Sequence, residues 1–260
     1  MVFKFPAKEA RVRIQVINPN SSASMTATIA AAARAVAAPG SEIIATTARG
    51  GPVSIEGHYE EAVATVAMLE EVRRGEAAGC DAHVIACFGD PGLLAAREIA
   101  RGPVLGIAEA AMHAACFLAT GFSIVTTLTR TRIIAEHLVR NYGMEHACRR
   151  VRATDLAVLE LEDPASDARA KIIAACERAL AEDGSGAIVL GCAGMADLTA
   201  AISAALGVPV IDGVVAAVKF AEALVGLGLG TSKRGDLAYP LAKPYRGGLA
   251  HLAPLAALPA

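Results

Sequence analysis

Short runs of apolar, mostly β-branched residues alternate along the chain with longer segments in which apolar residues recur at the helical spacing. This alternation is typical of an α/β protein whose parallel strands are joined by helices. The apolar runs predict eight strands, over residues 12–17, 42–47, 82–87, 104–107, 123–128, 148–153, 187–192 and 209–211. The helical segments predict eight helices, over residues 22–37, 57–78, 92–100, 108–119, 131–142, 166–183, 196–206 and 213–227.

The predicted pattern contains an internal repeat. Residues 82–89 (AHVIACFG) are followed by a short helix and then by residues 102–107 (GPVLGI), and residues 187–194 (AIVLGCAG) are followed by the same pieces, ending in residues 208–213 (VPVIDG). A proline lies 16 positions after Cys87 and 17 positions after Cys192. The sequence therefore predicts two copies of a four-strand α/β unit.

Duplication predicts two pseudo-symmetric lobes, each a four-stranded parallel sheet flanked by helices. We expect residues 1–118 to form the first lobe, 119–212 the second, 213–230 a helix that returns to the first lobe, and 231–260 a C-terminal tail that is mobile or packs on a neighbouring subunit. Ligands of open parallel sheets bind beyond the carboxyl ends of the strands. If the lobes face each other, Cys87 and Cys192 approach one cleft from opposite sides.

Composition narrows the possible partners. The 260 residues are 54% hydrophobic and carry a formal charge of −2, which predicts a globular protein and argues against nucleic acid or an anionic membrane as partner. We see no apolar segment that could span a membrane and no secretory leader, and therefore expect a cytoplasmic protein. The six cysteines include no Cys-x-x-Cys pair, which predicts neither disulfides nor a structural metal.

Each of the two repeated cysteines precedes a glycine-containing turn and a predicted helix start. Helix amino termini favour the thiolate, so we expect the pKa of both thiols to fall from about 8.5 toward neutrality. Two thiols on opposite faces of one carbon suit a two-base racemase, in which a thiolate removes a proton and a thiol delivers one. A single cysteine at a buried strand end is more often a small core residue, but the equivalent placement of Cys87 and Cys192 favours chemistry.

Six ordered segments resemble the hydantoin racemases of the aspartate/glutamate racemase superfamily. They are residues 16–20 (VINPN), 54–58 (SIEGH), 84–92 (VIACFGDPG), 106–111 (GIAEAA), 125–128 (VTTL) and 190–195 (LGCAGM). Residues 231–233 (TSK) and 235–237 (GDL) extend the likeness toward the allantoin racemases of that group. The resemblance implies a cofactor-independent racemase with a catalytic cysteine pair in a cleft between two α/β lobes. It also implies a small-molecule substrate and a homo-oligomer, of which a hexamer is one form.

The residues after each cysteine indicate a neutral substrate. Amino-acid racemases of the superfamily typically carry Asn and Thr there, whereas this chain has Phe88-Gly89 and Ala193-Gly194. No Arg or Lys adjoins either cysteine to pair with a carboxylate. A flat cyclic imide fits this lining better than a free amino acid.

Removal of the C5 proton from allantoin or another hydantoin gives an enolate whose C4 oxygen needs hydrogen-bond donors. The predicted donors are the backbone amides of Phe88, Gly89, Ala193 and Gly194 and the hydroxyls of Thr126 and Thr127. Asn18 could hydrogen-bond the ring imide through its amide, and Ser54 could contact the ureido arm of allantoin. Equally, Asn18 could shape a turn, Ser54 could cap a helix, and the threonines could be ordinary strand residues. Asp90 is expected to cap a helix, and Asp212 has no predicted role.

The leading hypothesis is interconversion of (R)- and (S)-allantoin, and the first alternative is a racemase of broad 5-substituted hydantoins. A maleate-type isomerase or a decarboxylase of the same superfamily would need groups that hold carboxylates. The non-enzymatic alternative is a small-molecule binding protein whose cysteines are core residues.

Overall fold

A computed structural model describes residues 11–163 and 165–254 of the chain. Within those ranges the strands are β1 (Val12–Asn18), β2 (Ser41–Thr47), β3 (Ala82–Ile85), β4 (Val104–Gly106), β5 (Phe122–Thr126), β6 (Cys148–Ala153), β7 (Ala187–Gly191) and β8 (Val210–Ile211). The α-helices are α1 (Ala23–Val36), α2 (His58–Ala77), α3 (Leu93–Ile99), α4 (Ile107–Leu118), α5 (Thr129–Asn141), α6 (Ala168–Asp183), α7 (Thr199–Leu206) and α8 (Gly213–Gly226). Short 3-10 segments cover Val158–Glu162, Ala193–Leu198, Gly235–Leu237 and Gly247–Leu252.

The strands form two four-stranded sheets with the same topology. The first has the order β2-β1-β3-β4 and the second the order β6-β5-β7-β8, and every neighbouring pair is parallel. The register also repeats, since Val84 pairs with Leu105 in the first sheet and Val189 pairs with Ile211 in the second. The two-lobed α/β fold predicted from the internal repeat is confirmed.

A continuous apolar core joins the two lobes. One cluster of buried side chains contains Ile14 of β1, Phe122 of β5, Val189 of β7 and Val214 of α8. Helix α8 follows the second sheet in the chain but packs against α4 and α1 and beneath the strands of the first sheet. The described lobes therefore share one interior, which fixes the cleft between them.

The described part of the C-terminal tail returns to the first lobe of its own chain. The Thr231 hydroxyl donates to the Gly102 carbonyl at 2.6 Å, and His251 Nε2 lies 2.7 Å from Glu70 Oε1 on α2. Residues 1–10 of the predicted first lobe and 255–260 of the predicted tail lie outside the described residues. No helix in the described ranges combines the length and apolar character needed to cross a membrane.

Strand ends differ from the sequence prediction where the chain enters the cleft. β3 ends at Ile85 rather than at Cys87, because the chain turns there and the Asp90 N–H donates to the Cys87 carbonyl at 3.0 Å. β7 ends at Gly191 rather than at Cys192, and β5 ends at Thr126, so Thr127 falls beyond the strand. Because β3 and β7 end earlier than predicted, neither cysteine belongs to a strand.

Candidate active site

Cys87 and Cys192 lie at equivalent places, one in each lobe. Cys87 is two residues past β3, and Cys192 directly follows β7. β3 and β7 hold the same position in their sheets, next to β1 and β5. Both cysteines are partly buried and line the same cavity. The structure therefore brings the two predicted thiols to one site from opposite lobes.

The turns that carry the two cysteines have the same hydrogen bonds. The N–H three residues later donates to the cysteine carbonyl, from Asp90 at 3.0 Å in one lobe and from Met195 at 3.2 Å in the other. The glycine two residues later, Gly89 or Gly194, donates its N–H to the cysteine sulfur. Each sulfur is thus held by a backbone amide of its own turn.

The prediction that helix amino termini lower the pKa of both thiols was wrong. Burial raises the pKa of the Cys87 thiol to about 12 and that of Cys192 to about 11, against the opposing effect of the glycine N–H groups. No α-helix begins at either sulfur, because α3 starts at Leu93 and Cys192 directly precedes a 3-10 segment. Both thiols therefore keep their protons at neutral pH.

Nearby negative charges reinforce the effect of burial. The charge on Cys192, and after it Asp90 and Glu61, raises the pKa of Cys87. Asp212 and then Glu56 act in the same direction on Cys192. Because an ionised Cys192 holds the proton on Cys87 more firmly, the pair favours one thiolate beside one thiol over two thiolates.

Most of the predicted substrate contacts line the cavity. Its wall contains Cys87, Cys192, Phe88, Gly89, Thr126, Thr127 and Ala193. Gly194 adjoins the site through its N–H, since a Cβ on this glycine would lie 3.7 Å from the sulfur of Cys192. The Thr126 hydroxyl donates to the Gly191 carbonyl at 3.0 Å, which ties β5 to the end of β7 beneath the cavity.

Asn18 and Ser54 do not line the cavity. The buried amide of Asn18 donates to Asn20 Oδ1 at 2.8 Å and to the Thr26 hydroxyl at 3.0 Å. Asn18 also accepts from the Asn20 N–H at 3.2 Å, so its side chain shapes the turn between β1 and α1. The residue of this turn that reaches the cavity is Asn20.

Sequence reasoning missed Glu61, the acidic group of the cavity wall. Glu61 lies in the first turn of α2, and its side chain is 26% exposed. Burial raises its pKa, and His58, with Nδ1 3.6 Å from Glu61 Oε2, partly opposes this. A Cβ on Gly89 would lie 3.8 Å from the Cys87 sulfur and 4.0 Å from Glu61 Oε2. The carboxylate and the thiol therefore face the same small space.

The remaining residues of the wall are polar Thr131, the small residues Ala86 and Gly191, and the apolar residues Met25, Ile55, Ile134 and Val158. None of the lining residues in the described chain is Lys or Arg, and no group of three or more His, Cys, Asp or Glu side chains within the described ranges is arranged to hold a metal ion. The site is a mostly neutral cleft with a thiol at each side and one carboxylate.

The segment between β2 and α2 connects the lobes beside the cavity. Glu56 Oε1 accepts the N–H of Val158, in the second lobe, at 2.9 Å. His58 stacks on His137 of α5 with ring centroids 6.2 Å apart. Ile55 and Val158 both line the cavity, so this connection forms part of its wall.

Comparison with known proteins agrees with this geometry. Residues 14–221 match the family model for Asp/Glu/hydantoin racemases. The chain belongs to this family. Among racemases of the family, the hydantoin racemase of Rhizobium meliloti is 51% identical over 236 residues, which are 91% of this chain and 98% of that protein.

Solved racemase structures show the same fold. The allantoin racemase from Klebsiella pneumoniae is 61% identical, with a TM-score of 0.92 over 94% of this chain and 100% of that one. The allantoin racemase from Pseudomonas fluorescens is 43% identical, with a TM-score of 0.87 over 90% of this chain and 100% of that one. Family and fold identify a racemase and favour an enzyme over a binding protein.

Proposed function

We propose that this racemase interconverts (R)- and (S)-allantoin by proton transfer at C5, with Cys87 and Cys192 as the two bases. The observation that carries the proposal is the pair of equivalent thiols, which face one cavity from opposite lobes. A thiolate on one face removes the C5 proton, and the thiol on the other face delivers its own proton to the carbanion carbon. Each cycle inverts the centre and exchanges the protonation states of the two sulfurs.

Charge that develops on the C4 oxygen needs donors on the cavity wall. The amides of Gly89 and Gly194 hydrogen-bond the sulfurs, so we assign the enolate oxygen to the amides of Phe88 and Ala193, which directly follow the cysteines. The Thr127 hydroxyl, on the same wall, adds a donor. One such donor contributes roughly 3 to 4 kcal/mol when aimed at the developing charge.

A neutral ring suits the electrostatics of the cavity. The described wall offers no cation to pair with a carboxylate, and Glu61 repels one. This disfavours the maleate-type isomerase and decarboxylase alternatives, whose substrates carry carboxylates. Glu61 and the polar side chains of Asn20 and Thr131 can take the N–H and carbonyl groups of a ureido arm, which favours allantoin.

The apolar part of the wall supports the alternative of a broad hydantoin racemase. Met25, Ile55, Ile134 and Val158 could receive an alkyl or aryl group at C5, and the Rhizobium meliloti relative is a hydantoin racemase. Relative kcat/KM for allantoin and 5-benzylhydantoin separates the two: we expect allantoin to be preferred, and a preference for the benzyl compound would select the alternative.

Replacing either thiol tests the mechanism. We expect Cys87→Ser and Cys192→Ser each to lower racemisation of enantiopure allantoin by about 10² to 10⁴-fold, since a serine hydroxyl is a far weaker acid and base. Circular dichroism follows the loss of optical activity, and NMR in D₂O follows exchange at C5. Cys176→Ser, on α6 away from the cavity, is the matched control. Racemisation that persists in both Cys87→Ser and Cys192→Ser would contradict the two-base assignment.

A further inference from the structure

The residues that open α4 and α8 occupy equivalent positions beside the two cysteine turns. Leu105 pairs with Val84 and Ile211 pairs with Val189, so the next residues, Gly106 and Asp212, correspond in the two lobes. Gly106 is the N-cap of α4, and Asp212 is the N-cap of α8. One position therefore holds a carboxylate in the second lobe and no side chain in the first.

In the second lobe the carboxylate comes from the N-cap itself. Asp212 is 3% exposed, and its Oδ1 accepts the N–H of Val215, the third residue of α8, at 2.8 Å. A buried Asp at an N-cap is stabilised by such an amide donor and by the helix dipole. Its charge acts on Cys192.

In the first lobe the cysteine turn supplies the carboxylate instead. Asp90, 5% exposed, accepts the N–H of Ala108 at 3.0 Å and that of Glu109, the third residue of α4, at 2.9 Å. A Cβ on Gly106 would overlap the Asp90 carboxyl group. The Asp90 carboxylate thus fills the place that the Asp212 side chain fills in the other lobe.

The position of the Asp90 carboxylate requires an unfavourable backbone conformation at this residue. Its φ is 45°, which is unfavourable for a residue other than glycine. Its Oδ2 also accepts the Tyr142 hydroxyl, beyond α5 in the second lobe, at 2.7 Å. Three donors and a strained backbone at one buried carboxylate indicate that the position of the carboxylate matters.

We propose that Asp90 and Asp212 are equivalent positioning residues, one for each cysteine, which place a negative charge near the thiol at the start of the adjoining helix. This inference rests on the proposed roles of Cys87 and Cys192. In the two-base mechanism each sulfur must serve as thiol in one direction and as thiolate in the other. Matching carboxylates give the two sulfurs matching surroundings, although the acids come from different positions in the repeat.

Alkylation measured separately at each cysteine reports the ionisation of that thiol independently of catalysis. Other charges also face the sulfurs, namely Glu61 and Cys192 at Cys87 and Glu56 at Cys192, while Tyr142 and Glu109 face Asp90. We expect Asp90→Asn to move the pH midpoint of iodoacetamide labelling at Cys87 downward and Asp212→Asn to do so at Cys192. The labelling rate below the midpoint should rise roughly tenfold for each pH unit of that shift.

The control is Asp183→Asn, a buried carboxylate of α6 whose partners are Ser123 and Arg152. It should move neither midpoint, and circular dichroism checks that each variant is folded. Variants at Asp90 and Asp212 that shift both cysteines equally, or neither, would overturn the inference.

A carboxylate transplant keeps the test decisive if Asp90→Asn fails to fold. Glycine suits the positive φ at position 90, and the extended backbone of Gly106, with φ −83° and ψ 143°, suits an Asp N-cap. We expect Asp90→Gly and Gly106→Asp each to slow racemisation at least about tenfold, and the double variant to racemise faster than either single variant.

A double variant no better than the single variants would contradict the equivalence of the two carboxylates. Failure of the two-base assignment gives a different result: racemisation would then survive in Cys87→Ser and Cys192→Ser, whereas the labelling midpoints would still respond to Asp90 and Asp212.

Discussion

The two thiols hold their protons tightly because they are buried beside negative charges, and this determines how the rate should depend on pH. The reaction needs one thiolate, and the pKa of Cys192 is raised to about 11 and that of Cys87 to about 12. The thiolate fraction of the free enzyme therefore increases throughout the neutral and mildly alkaline range. The active form, with one thiolate and one thiol, declines only when the second thiol also ionises.

We accordingly expect kcat/KM to rise about tenfold per pH unit between about pH 6 and 8, because this parameter reports the ionisation of the free enzyme. Circular dichroism of enantiopure allantoin measures the rate. The Cys87→Ser/Cys192→Ser double variant supplies the uncatalysed background at each pH. A plateau reached below about pH 8 would show that a thiol of the free enzyme ionises below the ordinary value of about 8.5.

Glu61 should control which charges the cleft accepts. We expect Glu61→Gln to strengthen inhibition by ring-opened N-carbamoyl amino acids about tenfold, since it removes a carboxylate that repels theirs. Affinity for neutral hydantoins should change less. Inhibition constants at constant pH and ionic strength measure the effect, and Glu177→Gln, exposed on α6, is the matched control for lost charge. Equal changes for anionic and neutral ligands would exclude this role.

Glu61 also illustrates what sequence reasoning could and could not find at this scale. Cys87 and Cys192 were predicted because the repeat places them at equivalent strand ends. Glu61 belongs to no repeated motif, and it reaches Cys87 only because α2 begins at the cleft. Its position in the first turn of a helix that follows a strand was an available signal. The direction of the thiol pKa shifts was missed because burial, which outweighs the amide donors, depends on the packed lobes.

At the scale of elements, the repeat predicted the order of the strands well, because periodic apolar runs and duplicated turns are local features. Close approaches between elements were not predictable. Gly213, the first residue of α8, is an example: a Cβ there would overlap the carbonyl oxygen of Ile107, the first residue of α4. The two helix starts touch because Gly213 places no side chain between them.

We therefore expect Gly213→Ala to lower the free energy of unfolding by about 1 to 3 kcal/mol, since the backbone of α4 must move to admit the methyl group. Denaturant unfolding followed by circular dichroism measures the change. Gly226→Ala, at the other end of α8, is the control, because a Cβ there meets no atom within 4 Å. The control should be neutral or slightly stabilising. Equal stability of the two variants would show that the approach of α4 and α8 is not tight.

At the scale of the whole molecule, the lobes are held together by a shared apolar core and by contacts near the cleft. The continuous core and α8 join them away from the cleft. Beside the cavity the connection is polar: Glu56 of the first lobe accepts the Val158 N–H of the second at 2.9 Å. Because the core holds the lobes together, the Glu56–Val158 hydrogen bond can be removed without disturbing the interior.

We expect Glu56→Ala to raise KM for allantoin about three- to tenfold, because the cavity wall formed by Ile55 and Val158 is no longer held together by this hydrogen bond. The change corresponds to the loss of one hydrogen bond, about 0.5 to 1.5 kcal/mol. The free energy of unfolding should change little, since water can reach the released N–H. Glu56→Gln keeps an oxygen acceptor and should leave KM near its original value. Both variants also remove a charge that faces Cys192, so the difference in KM between them isolates the connection across the cleft. Steady-state kinetics on enantiopure allantoin gives that difference, and identical KM values in the two variants would mean that the hydrogen bond does not hold the cavity wall in place.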